Sequence, residues 1–227
     1  MITQLIIVAA GLGTRLGLQT PKALVKLCGR SLVARTLDRL LAVEFGDPLV
    51  IVIPAGYEDA FREALNDIPA AIQYVEGGQE RRDSVKRGLD VLNPDTEIVA
   101  IHDAARPFPT ALSVCTAIEA ARQYGAATLA TPVIDTILMD EGAGFMGTTP
   151  DRSLLWACQT PQVFQVDVIR RAYADEKNKD VPCTDDATMA QRIGCQVKLV
   201  DGGAMNFKIT TKRELAFASY LLEQSLI

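Results

Sequence analysis

The stretch AAGLGTRLGLQTPK, Ala9 to Lys22, decides how the chain is read. It follows an apolar run, Leu5 to Val8, that reads as a buried strand. Gly11 and Gly13 carry no Cβ, so the backbone can turn tightly there and approach a ligand closely. Arg15 and Lys22 add two cations to the same loop. A glycine turn after a first strand, with exposed N–H groups and flanking cations, suits a polyphosphate. The dinucleotide fingerprint needs a third glycine where Leu16 stands, and the P-loop needs Gly-Lys-Ser/Thr where Leu16-Gly17-Leu18 stands. What remains is a Gly-x-Gly-Thr-Arg loop closing on Pro-Lys; the plainer alternative is an ordinary βα turn.

Composition narrows the classes. The 227 residues suit a single α/β domain, 1–227, with one excursion. With 48% apolar and 22% charged residues, a sizeable core is available and disorder is excluded. A net charge of −5 argues against nucleic-acid binding, which needs a broad basic face. Five cysteines without a C-x-x-C pair point to a reducing compartment. The first apolar run is too short for a signal peptide or membrane span, and a cytoplasmic protein is expected.

Strand-like and helix-like segments then alternate. Ser31 to Val43 is an amphipathic helix with Ser31 as cap and Val33, Leu37, Leu40 and Leu41 on one face. Leu49 to Ile53 and Ile72 to Val75 are strands, with a helix at Tyr57 to Leu65 between them. GGQERRDSV, Gly77 to Val85, repeats the glycine turn feeding a helix; Arg81 and Arg82 are either anion-binding or a solvated pair. Ile98 to Ile101 is a buried strand running into HDAARP, His102 to Pro107. Such alternation predicts a mostly parallel sheet flanked by helices, with ligands beyond the carboxyl ends of its strands. Asp103 and Arg106 fall there. Asp103 is a candidate Mg²⁺ ligand or ribose contact, and otherwise a turn cap.

The second half breaks the rhythm. Thr110 to Tyr124 is a helix with Leu112, Cys115, Ile118 and Ala121 inward, followed by a strand at Ala126 to Thr131. The segment 132–162 reads as a β-hairpin arm, with a β-prone piece at Ile134 to Met139 and a glycine-rich turn. An arm carrying Ile137, Met139, Phe145 and Met146 cannot bury both faces alone, so it is expected to pack on a second subunit as a homodimer. A flap over its own domain is the alternative. Val166 to Ala174 is helical, Thr184 is expected to cap the next helix, and Val197 to Val200 is an edge strand. In NFKIT, Asn206 to Thr210, Lys208 points away from Phe207 and Ile209, which by itself suits a solvated edge charge.

Six cations, Arg15, Lys22, Arg81, Arg106, Arg152 and Lys208, fall in or near strand-end loops of an acidic chain, implying a local anion site. The single histidine, His102, belongs to no Ser-His-Asp or Cys-His set, so acyl transfer is poorly supported. Nucleotidyl transfer suits the inventory better. A phosphate monoester, with a second pKa of about 6, is largely ionised at neutral pH and needs no general base. The catalyst must hold two anions in line and stabilise charge, which is work for Arg, Lys and Mg²⁺.

The ordered set AAGLGTRLG, PKAL, GGQERRDSV, HDAARP, VIDT, DRSLLWACQTPQ, TDDA and NFKIT resembles the 2-C-methyl-D-erythritol 4-phosphate cytidylyltransferases of the non-mevalonate isoprenoid pathway. The resemblance implies a Rossmann-like nucleotidyltransferase fold, transfer of CMP from CTP with Mg²⁺, and a dimer whose arm completes the neighbour's site. It implies that Arg15 and Lys22 stabilise charge at the α-phosphate, and that Arg152 and Lys208 position the acceptor phosphate. Ala9, Ala10, Gly78 and Ser84 resemble the cytosine-reading positions, with Gly11 and Gly13 in the nucleotide loop. Asp103, Arg106, Thr136 and Thr160 resemble the substrate- and ribose-facing set, with Thr184 and Thr210 at the same site. Gln79 stands where some members carry an acidic residue. The nearest rival is a ribitol-5-phosphate cytidylyltransferase, whose members more often read HDSVRPF. An NAD-dependent dehydrogenase fits poorly, lacking the third glycine and an acidic end to the second strand. A silent nucleotide-binding protein would not need Arg15, Lys22, Arg152 and Lys208 together.

Overall fold

The computed structural model describes residues 2–13, 20–175 and 185–227; Arg15 and Thr184 lie outside the described residues. Strand β1 (Ile2–Val8) sits mid-sheet between β4 (Leu49–Ile53) and β6 (Thr96–Asp103), parallel to both. Strand β5 (Ile72–Glu76) extends the parallel run beyond β4. On the far side of β6 comes β10 (Trp156–Gln165), antiparallel to β6 and to β7 (Ala126–Pro132). Strand β11 (Val197–Asp201) closes that edge, parallel to β7. The sheet thus has seven strands in the order β11-β7-β10-β6-β1-β4-β5. It is mainly parallel, as the alternation of segments predicts.

Both faces are buried, which is why the central strands are apolar without a break. Leu5 and Ile7 of β1 and Leu49, Ile51 and Ile53 of β4 point to one side. There they meet α1 (Leu32–Leu40), α2 (Glu58–Ala64) and α4 (Ala111–Tyr124). Ile6, Val50 and Val52 point to the other, against α3 (Arg81–Asp90), α5 (Val166–Ala174) and α6 (Asp186–Arg192). A third cluster lies under α7 (Lys212–Glu223), where Ala218 packs with Leu27, Phe108 and Ile209 beside the small ladder of β2 (Lys26–Leu27) and β3 (Arg30–Ser31).

Several details differ from the sequence reading. Helix α4 buries Val114, Ala117, Ile118 and Ala121, while Leu112 is 79% exposed and Cys115 is exposed. Ile118 and Ala121 are buried as expected; small Ala117 and Ala121 let the helix lie close on the sheet, and that contact turns Val114 and Ala117 inward in place of Leu112 and Cys115. The cap of α6 is Asp185, whose side chain accepts from Thr188 N, and not Thr184. The arm is shorter than 132–162: from Trp156 the chain is back in the sheet as β10, buried from Gln159 to Phe164. No regular strand forms at 134–139. The arm is tied at its base by Val133 N–H to Leu155 O, and near its tip by Met139 N–H to Thr148 O. Only β8 (Asp140–Gly142) and β9 (Phe145–Met146) form a ladder there.

Phe164 tests how far β10 belongs to the core: it is fully buried against the α3, α5 and α6 face. Phe164→Ala should lower the unfolding free energy by about 3–5 kcal/mol, read by urea denaturation with an unchanged slope. A loss under about 1 kcal/mol would place this strand outside the core.

Candidate active site

The parallel strands β1, β4, β5 and β6 all end at one rim, and the loops after β1, β5 and β6, with Lys208, line a cavity of about 230 Å³. Ala9, Ala10 and Gly11 form one wall, and Gly78, Glu80, Arg81 and Ser84 the facing one. Lys22, Asp103 and Lys208 complete the lining. The two glycine turns are shaped by close contact. A Cβ on Gly77 would fall 2.5 Å from Ala10 Cβ, and one on Gly78 would fall 2.1 Å from Asp83 Cβ. Ser84 Oγ fixes the second turn, accepting from Gly78 N at 3.1 Å and donating to Glu80 O at 3.1 Å. In the first loop Gly13 has φ +68°, and a Cβ there would meet Lys22 Cβ at 3.0 Å. Lys22 N–H donates to Gly11 O at 3.0 Å, which folds the lysine back onto the loop.

Asp103, at the end of β6, is the electrostatic centre. Lys208 Nζ donates to its Oδ2 at 2.6 Å, and Arg81 Nε to its Oδ1 at 3.2 Å. Burial opposes the carboxylate charge, but Arg81 and Lys208 outweigh it and hold the carboxyl well below the usual range. Lys208 is therefore no solvated edge charge. Arg81 is likewise no solvated charge. Its Nη1 also donates to Asp186 Oδ2 at 2.8 Å, so one guanidinium bridges two carboxylates. The TDDA segment reads from sequence as a helix cap, with Thr184 also a substrate-site candidate; the pairing of Asp186 with Arg81 depends on residues 105 apart meeting, which leaves no local signal.

Other expected site residues are placed as follows. Arg106 lies behind the cavity and donates to Asn206 O and Cys158 O. Thr160 is buried; its Oγ1 accepts from Asp103 N at 3.1 Å and lies 3.2 Å from His102 Nδ1. Thr210 donates to Glu214 at the start of α7 and does not line the cavity. Thr136 and Arg152 stand on the exposed arm, with Arg152 Nη1 donating to Ile134 O at 2.6 Å, and neither lines the cavity. The lining fits a resident metal poorly. Both oxygens of Asp103 are held by cations, and among the described residues no three carboxylate, histidine or cysteine side chains gather to hold an ion.

The family model described as "IspD: 2-C-methyl-D-erythritol 4-phosphate cytidylyltransferase" matches residues 3–224. The chain belongs to this cytidylyltransferase family. A relative of that name from Desulforamulus reducens is 39% identical over 96% of this chain and 95% of its own. Another from Deinococcus radiodurans is 42% identical over 96% and 89%. A solved 4-diphosphocytidyl-2C-methyl-D-erythritol synthase from Anaerococcus prevotii superposes with a TM-score of 0.87 at 31% identity, covering 98% of each chain. The cytidylyltransferase of Thermus thermophilus gives 0.80 at 33% identity, covering 98% of this chain and 100% of that one.

In this cytidylyltransferase the single histidine lies inside the fold and does not line the cavity. His102 is fully buried, Nε2 lying 2.9 Å from Arg106 O. Burial pushes its pKa down to about 4, partly opposed by the Arg106 carbonyl, so it is neutral at pH 7. Its folded pKa lies below the ordinary 6.5, so the unfolded chain binds the extra proton between those values. The stabilisation is full above pH 6.5 and is lost as pH falls toward about 4, amounting to about 3 kcal/mol. His102→Gln should flatten the stability profile across that window in urea unfolding at stepped pH. An unchanged slope would assign the acid sensitivity to other groups.

Proposed function

We propose that this chain transfers the cytidylyl group of CTP to 2-C-methyl-D-erythritol 4-phosphate. An oxygen of the acceptor's phosphate attacks the α-phosphorus, the bond from that phosphorus to the β-bridging oxygen breaks, and pyrophosphate leaves. The observation that carries the reading is the gathering of Lys22, Lys208 and the Asp103 network around one cavity at the strand ends. With an acceptor phosphate already ionised near neutral pH and His102 buried and neutral, positioning and charge stabilisation are the protein's tasks.

In this reading Ala10, Gly78 and Ser84 hold the base, where glycine at 78 leaves the backbone open to it. Lys22, with Arg15 from the same loop, steadies charge at the α-phosphate. Lys208 holds the acceptor phosphate. Its ammonium has three donors, so one can stay on Asp103 while two face the substrate. Mg²⁺ enters as a counter-ion carried by the nucleotide, since both Asp103 oxygens already accept from cations.

The arm supports a homodimer. It exposes Ile134, Met139, Phe145, Met146 and Leu154, a large apolar surface for one short excursion. Arg152 and Thr136 ride on it, away from their own cavity. A two-fold pair would bring them to the partner's site.

Pyrophosphate release should depend on CTP and methylerythritol phosphate together. Prompt turnover with ribitol 5-phosphate alone would overturn the acceptor. Lys22→Ala should slow turnover by about 10²–10³-fold, and a normal rate would remove it from the chemistry. Arm exchange has its own readout. Lys22→Ala and Arg152→Ala dimers, each inactive, should regain about a quarter of full activity when subunits exchange, because half the dimers are mixed and each then holds one intact site. No recovery on proven exchange would mean that each arm serves its own subunit.

A further inference from the structure

We infer that Asp186 and Tyr173, neither of which lines the cavity, are positioning residues for Lys208, acting through Arg81 and Asp103. The inference rests on the reading of Lys208 as the contact to the acceptor phosphate.

A lysine on a flexible four-carbon stem, with its side chain 34% exposed, is not fixed by packing. What locates Lys208 Nζ is its 2.6 Å bond to Asp103 Oδ2. Asp103 in turn is held at Oδ1 by Arg81 Nε. The far end of that guanidinium is pinned by Asp186 Oδ2 at 2.8 Å. Asp186 is 1% exposed and doubly anchored: Tyr173 OH donates to its Oδ1 at 2.6 Å, and its own N–H donates to Gln162 Oε1 at 2.9 Å. Signs alternate along the chain from Asp186 through Arg81 and Asp103 to Lys208, so each member is neutralised by its neighbours. Buried carboxylates demand such pairing.

Two buried carboxylates hold Arg81 stretched between them. Without the Asp186 charge, the guanidinium has one anionic partner left among the described residues and can turn both of its forks onto Asp103, a bidentate geometry that suits it well. It then competes with Lys208 for Oδ2. The lysine loses its anchor, while Ala10, Gly78 and Ser84, which hold the base in that reading, are held by contacts that do not involve Arg81. The defect should therefore fall on the acceptor and spare CTP.

The test is steady-state pyrophosphate release by the full chain, with each substrate varied at saturation of the other. Asp186→Asn should raise the acceptor KM about tenfold, and Tyr173→Phe, which removes only the hydroxyl, about threefold, with the KM for CTP within about twofold of the parent. In a Lys208→Gln background, Asp186→Asn should add almost nothing to the acceptor KM, because the group it positions is gone. Effects that multiply in the double variant, or a fall in melting temperature with both KM values unchanged, would overturn the inference. If Asp186→Asn does not fold, Tyr173→Phe alone and combined with Lys208→Gln decides by the same criteria. An ordinary acceptor KM in Lys208→Gln itself would instead strike down the assignment of Lys208, which is a different failure.

Discussion

A buried carboxylate must be neutralised where it lies, and at Asp103 this requirement draws distant parts of the chain to one point. Moving a carboxylate out of water costs several kcal/mol, and the cost is offset only if cations and hydrogen bonds meet it in good geometry. Here the partners come from the start of α3, 22 residues away, and from Lys208, 105 residues away. The backbone N–H of Asp103 is held as well, by Thr160 of β10. Three segments at the sheet rim are thus tied to one residue, two through its carboxylate and one through its backbone N–H. Such an arrangement adds little certain stability, since apolar substitutes could pack as well. What it adds is position. A lysine that would otherwise sample many rotamers is kept at the mouth of the cavity.

The opposite wall is fixed by a different constraint, close approach without side chains. Gly77 and Gly78 pass so near to Ala10 and Asp83 that a methyl group at either would collide. Gly88, further along α3, sits with ideal Cβ space only 3.0 Å from Ile6 Cγ2, so the helix also lies tight on β1. The first and second glycine loops are therefore held at a set spacing by contact, and the gap between them is the cavity. One wall is positioned by charge and the other by shape, and neither depends on a mobile polar side chain.

Local signals carried much of this into the sequence. The glycine loop, the unbroken apolar strands and the Asp at the end of the fourth parallel strand each reflect a constraint felt within a few residues. The capping of α1 by Ser31 is of the same kind. What stayed hidden depends on pairing across the fold. Strand β10 contains Gln159, Thr160, Pro161 and Gln162, a poor strand by propensity, and it forms because β6 and β7 flank it on both sides. Its polar residues are buried because they have work inside: Gln162 accepts the first N–H groups of α6, and Thr160 binds Asp103 N. Likewise, in α4 the sheet beneath buries Val114 and Ala117 where the helical spacing alone suggests Leu112 and Cys115.

The acidic balance of the chain sharpens the point about charge. A protein of net charge −5 repels anionic substrates at a distance, so attraction must be generated within a few ångströms of the site. Arg81 does not supply it, because its charge is consumed by Asp103 and Asp186. Lys208 is half consumed in the same sense, sharing Asp103 with Arg81. In the dimeric reading, further positive charge arrives from outside on the arm that carries Arg152. In a reaction between two anions, the buried salt bridges around Asp103 serve to fix geometry, by holding Lys208 at the cavity lining.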